Sequence, residues 1–236
     1  LGRKSIRHPE TGTRLSALEI HENIRAPAIE ELERPISSLF FSSLAAGMLI
    51  GFSFLSMGFV THYAPEPYRH PLASLAYPIG FMFVIMGRSE LFTENTLEPV
   101  IPLLHERDAK TLRQLLRMWA ILIVGNLLGA LVFGWLLGRT TMIDPSLHPS
   151  LQDLSRQATE GGFGDVFYKA IFGGWLIALL AWLLASTVDS IAQLFLIWVT
   201  TAPISAFHFR HSIAGSVEAF YRVAVGSAGW GEMLSG

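Results

Sequence analysis

The chain has 236 residues, 51% of them hydrophobic and 15% charged, with a formal net charge of −2. Soluble domains carry nearer to about a quarter charged residues, so the chain reads as membrane-embedded, and no basic field points to nucleic acid. With no cysteine, disulfides, thiolate metal sites and cysteine nucleophiles are excluded. Residues 1–15 read as an extended arm. Ser16 and Glu19 have the spacing of a capping box, opening a short helix whose Leu18, Ile24, Ala28, Ile29 and Leu32 share one side. That helix is expected to lie on the membrane surface or to serve as a soluble tether. Residues 1–34 thus form an N-terminal arm.

Residues 38–60 are the first clear span, with Ser42, Ala45, Ala46, Gly47 and Gly51 suited to close helix approach. A second apolar stretch, 72–86, is cut by the polar run 87–95 and resumes at 96–104. Residues 119–137 form a third span, which contains Gly125-Asn126-Leu127-Leu128-Gly129. A polar loop at 139–164 carries a short helix near 151–157, and a fourth span covers 167–185. The fifth stretch, 191–205, is interrupted at 207–211 by His208, Arg210 and His211 and resumes through 212–226. Neither half reaches the roughly 20 apolar residues of a full span, so one broken span is favoured over two helices joined by an aqueous loop. Irregular backbone at that depth must be wrapped in protein or line a cavity, and ionisable residues there mark a functional site.

Span, broken span, span is followed by span, broken span, which predicts two three-span units inserted in opposite directions, 35–138 and 165–236. A complete second unit needs a sixth span, so the chain is expected to be incomplete. Basic residues gather in the arm (Arg14, Arg25, Arg34) and in the loop after the first broken span (Arg107, Lys110, Arg113, Arg117). The positive-inside rule places both in the cytoplasm.

Four motifs resemble the formate/nitrite transporter family. They are Ser89-Glu90-Leu91-Phe92-Thr93, Gly125-Asn126-x-x-Gly129, Trp175-Leu176-x-x-Leu179-Ala-x-Trp182 and His211-Ser212-Ile213-Ala214, in one colinear order. The resemblance implies an all-α polytopic membrane protein with an aquaporin-like inverted repeat and two broken helices. It also implies a homopentamer in the inner (plasma) membrane, in contact with lipid, that passes small monovalent anions or their weak acids without a cofactor. By position, His211 matches the family's pore histidine and Thr93 its hydrogen-bonding threonine. Phe92 and Phe81 match the constriction on one side, Tyr77 and Ile204 that on the other. Arg88 and Glu94 stand at small-residue positions, Gly174 at an asparagine, and the basic residue near the first span appears as Ser38 or is shifted to Arg34.

A dry constriction rejects bare charge, so a weak acid crosses most cheaply when neutral. His211, whose ordinary pKa is near 6.5, is expected to donate that proton or to stabilise the anion, or else to be a helix-cap histidine satisfied by backbone. Arg210 is expected to concentrate anions. Arg88, Glu90 and Glu94 are expected to form an internal ion-pair cluster that pins the first break. His8, His21, His62, His70, His105 and His148 fall in polar segments and read as solvated. No metal-ligand spacing or nucleophile–base constellation stands out, so neither a metal nor an enzymatic activity is expected. The alternatives are a neutral-solute, water-like channel and a non-transporting membrane scaffold or regulatory protein.

Overall fold

A computed structural model describes residues 14–231, and the predicted arm lies outside them except for Arg14 and Leu15. The described residues form eleven α-helices and no strand. Helix α1 (Ala17–Leu32) opens with the capping box in place: Ser16 Oγ accepts from Glu19 N at 3.3 Å, and Glu19 Oε2 accepts from Ser16 N at 2.8 Å. Its Ile24, Ala28 and Leu32 are buried against the bundle. Part of the predicted apolar side therefore meets protein, while its Leu18 and Ile29 stay exposed.

Helices α2 (Ile36–Leu49) and α3 (Gly51–Tyr63) run on as one 28-residue span through a turn at Ile50, whose carbonyl accepts from Ser53 N at 3.0 Å. Helices α4 (Arg69–Ala76) and α5 (Pro78–Met86) supply the first half of a broken span, and α6 (Val100–Glu106) continues it. Helix α7 (Ala109–Arg139) has 31 residues, well beyond the predicted third span. Asp108 starts it by accepting from Lys110 N and Thr111 N at 2.7 and 2.9 Å. Its polar first turns do not face water alone. Arg117 Nη2 donates to Leu32 O and Arg34 O at 2.8 and 3.1 Å, so a cation closes the carbonyl end of α1. The loop helix is α8 (His148–Thr159), and α9 (Phe163–Leu184) is the fourth span. Helices α10 (Ser190–Ala206) and α11 (Ser212–Ala224) are the two halves of the second broken span.

Helix α7 is the central post, flanked by α2 and α11. Lipid gives helices no hydrophobic reason to associate, so contact depends on small residues. A Cβ on Gly47 would overlap the Asn126 backbone, and one on Gly129 would overlap Leu44 O. The glycines predicted to allow close approach sit at the α2–α7 crossing. Large apolar side chains face outward on each long span: Phe41 and Phe59, Leu116 and Val132, Phe172 and Trp175.

Candidate functional site

Both broken helices end in the same way. After α5, Ser89 N donates back to Val84 O at 3.0 Å, around Arg88 in the left-handed region at φ 54°. After α10, Phe209 N donates back to Ile204 O at 2.8 Å, around His208 at φ 55°. In each break an N–H reaches five residues back over one left-handed residue, the Schellman arrangement usually built on glycine. This satisfies carbonyls that lipid-depth backbone would otherwise leave unpaired.

Side chains then hold the first break open. Asn126, fully buried on α7, accepts from Phe92 N at 2.7 Å and donates to Ser43 O and Glu90 O at 2.7 and 2.9 Å. Glu90 N donates to Ser42 Oγ at 3.1 Å, and Trp119 Nε1 donates to Asn95 O at 2.9 Å. Glu90 is 6% exposed; it receives Asn95 Nδ2 at 2.9 Å and forms an ion pair with Arg34. The predicted partner Arg88 is exposed, and among the described residues neither it nor Glu94 has an ion pair within 4 Å. The pin comes instead from Arg34, whose Nη2 also donates to Ser38 Oγ at 2.9 Å. On α1, outside the spans, burial pushes the Glu31 carboxyl up to about 8, reinforced by Glu90 and Glu98.

The second break leads directly into the N-cap of α11, and that cap is His211. Its Nδ1 accepts from Ala214 N at 3.2 Å, and its Nε2 lies 2.8 Å from Thr93 Oγ1 in the first break. Because Nδ1 is an acceptor, the proton of the neutral ring belongs on Nε2, which then donates to Thr93. The threonine hydroxyl hydrogen is left to point elsewhere. His211 is 7% exposed, and the ring of buried Phe81 meets it edge-on, with centroids 5.0 Å apart. Tyr77 lies against Phe81 at 5.3 Å, Ile204 is buried nearby in the same core, and Phe92 packs on Trp119 at 6.2 Å.

Two cavities approach this clasp from opposite ends of α9. The larger, about 790 Å³, is lined by Val166 and Ala170 of α9 together with His70, Tyr77, Arg210 and His211. The smaller, about 500 Å³, is lined by Ala181 and Leu184 together with Glu31, Arg34, Glu94 and Glu98. Val166 and Leu184 are separated by ~27 Å at 1.5 Å per helical residue. Neither lining includes Phe81, Phe92 or Thr93.

Arg210 is turned toward the polar loop, where Nη2 donates to Gln157 O and Glu160 O at 3.1 and 2.6 Å. Two histidines read as solvated are engaged. His148 Nδ1 is 2.8 Å from Tyr221 OH, and His70 stacks on His208 with ring centroids 4.5 Å apart. His8 lies outside the described residues. The strut Asn126 was seen in sequence only as part of a motif. An asparagine inside an apolar span was itself a signal, since such a group needs partners.

Residues 18–236 match the family model for formate/nitrite transporters. The inner membrane protein YfdC of Escherichia coli (strain K12) is 31% identical over 219 residues, which cover 92% of this chain and 70% of that protein. A probable formate transporter of Methanothermobacter thermautotrophicus is 27% identical over 88% of this chain and 83% of its own length. Among solved structures, a pentameric formate channel with formate bound superposes with a TM-score of 0.71 at 22% identity, covering 85% of this chain and 80% of that one. The chain is a helical membrane protein of the transporter class. It belongs to the formate/nitrite transporter family.

Proposed function

We propose that this protein conducts small monovalent anions, or their conjugate weak acids, across the inner (plasma) membrane through the His211–Thr93 clasp. The observation that carries this reading is the 2.8 Å contact between Thr93 Oγ1 and His211 Nε2, made between two broken helices and between two cavities. The names of the relatives support the substrate class: a probable formate transporter and a formate channel.

Phe81, Phe92, Tyr77 and Ile204 form the low-dielectric barrier, which rejects a bare ion. The positive end of α11 points at the same spot and stabilises an approaching anion. The Thr93 hydroxyl offers it a hydrogen bond, and the proton that makes the solute neutral comes from water in the vestibule as the solute leaves it. His211 works in its neutral form as orienter and donor, because a proton on Nδ1 would displace the Ala214 N–H that caps the helix.

The two breaks are read as corresponding parts of oppositely inserted units, 35–138 and 165–236. The left-handed residue shared by their Schellman turns supports that reading. Basic residues around α1 and the start of α7 support a cytoplasmic N-terminus. The outward apolar rows suit lipid and neighbouring protomers, and the pentameric formate channel supports a homopentamer.

The test is flux of formate, nitrite, chloride and nitrate into proteoliposomes, comparing intact protein with His211→Ala and with the cap-retaining His211→Asn. Formate and nitrite flux, accelerated by acid and lost in both variants, is expected. Water flux without anion flux would instead indicate a neutral-solute channel, and no flux at all a scaffold.

A further inference from the structure

The mouth of the larger cavity holds a pair of side chains that the clasp does not use. His70, at the start of α4, and His208, in the second break, stack with ring planes 20° apart. His70 is half-buried, and its Nε2 is buried with no hydrogen-bond partner. One turn on, Ser74 Oγ donates to His70 O at 2.9 Å and accepts from Ser205 Oγ at 3.2 Å. His70, Ser205, Tyr77 and His211 line the same cavity, so a polar track leads from the stack to the clasp.

We propose that His70 and His208 form a separate, proton-loaded binding site for a small carboxylate or oxyanion at the extracytoplasmic mouth, upstream of His211; this rests on the channel reading and its orientation.

A proton on one ring of the stack gives the pair a single positive charge. A second would set like charges with ring centroids 4.5 Å apart, where they repel. The singly protonated pair gains an N–H donor next to the orphan Nε2 of His70, and a monovalent anion matches both the charge and the donors. The cations around the pair have partners of their own. From α9, Lys169 is paired with Asp165, and beside His70, Arg69 is paired with Glu66. In the same break, Arg210 is held by carbonyls and His211 by its cap. From α11, Arg222 bonds Thr159, and Glu218 is buried and lines the cavity. A proton on the pair fills the site and its loss empties it, so acid feeds the constriction.

Full-length protein in nanodiscs and proteoliposomes tests this with sodium formate. His70→Phe keeps a stacking ring without a titratable nitrogen, and His208→Gly removes the ring at a backbone conformation that suits glycine. In the wild type, lowering external pH from ~7.5 to ~5.5 should lower the apparent KM for formate by about fivefold beyond the change in either variant, with kcat retained. An equal fall in KM in both variants overturns the proposal. Nitrogen NMR of the histidine rings provides a readout that does not depend on transport. Formate should shift the His70 and His208 ring resonances in acid and not above neutral pH, and no shift overturns the site. If formate shifts those rings while no anion crosses the membrane, this site stands and the channel reading falls.

Discussion

Arg88 and His208 adopt the same left-handed backbone, at φ 54° and 55°, each at the point where a membrane helix stops short. A side chain there brings Cβ against the following carbonyl, at roughly 1–2 kcal/mol per residue. Arg88→Ala and Arg88→Gly both remove the cation from beside the acidic cavity, but only glycine relieves the backbone. Arg88→Gly should therefore be more stable than Arg88→Ala by about 1 kcal/mol, read from thermal unfolding in detergent.

Asn126 makes three hydrogen bonds into the first break from a fully buried position. Asn126→Leu leaves Phe92 N and Glu90 O unpaired and removes the second donor to Ser43 O, at an expected loss of about 3 kcal/mol. Asn126→Asp should be no better, because the oxygen replacing Nδ2 faces two carbonyl oxygens. An aspartate variant as stable as the wild type would show that the strut is dispensable.

The Arg34–Glu90 pair should behave as a partly buried ion pair, with Glu90 the more enclosed partner. Arg34→Gln strands the carboxylate and should cost about 2 kcal/mol. Adding Glu90→Gln should restore most of that, since both charges are then gone. A double-mutant cycle on unfolding midpoints measures the recovery.

Glu31 sets a pH dependence at the α1 end. Burial holds its carboxyl up near 8 in the folded protein, against 4.5 ordinarily. Between those values the folded state binds more protons than the unfolded one, so the stability from this group is complete below about 4.5 and is lost as pH rises toward about 8. Protection factors of the α1 amides, from which the intrinsic base catalysis of exchange is removed, should accordingly fall from ~pH 6 to ~pH 8.5 and stay level in Glu31→Gln.

The spans and both breaks were legible because polar runs inside apolar stretches are costly wherever they occur. Their contents were less legible. Thr93 and His211 lie 118 residues apart, and only the family resemblance paired them in sequence. Arg34 lies 56 residues from Glu90, so the nearer Arg88 looked the natural partner. No local signal marks a left-handed arginine or histidine. The first turns of α7 were read as loop because their charges suggested water, whereas Arg117 serves the end of α1. His70 reads as solvated in sequence because its partner lies across the fold on another broken helix.

His211 begins a helix with one ring nitrogen and meets the opposite half of the protein with the other. Position 211 is thus governed by two demands met on a single ring. Serine, asparagine and aspartate all cap helices well, yet none presents an aromatic ring to Phe81 or reaches Thr93 in the same geometry. Phenylalanine and tyrosine fill the space but cannot accept the Ala214 proton in that way. An evolutionary path away from histidine would have to cross a state in which either the helix starts badly or the two halves lose their handshake. On the proposed channel reading, substrate preference is therefore freer to drift through the lining of the two cavities than through position 211.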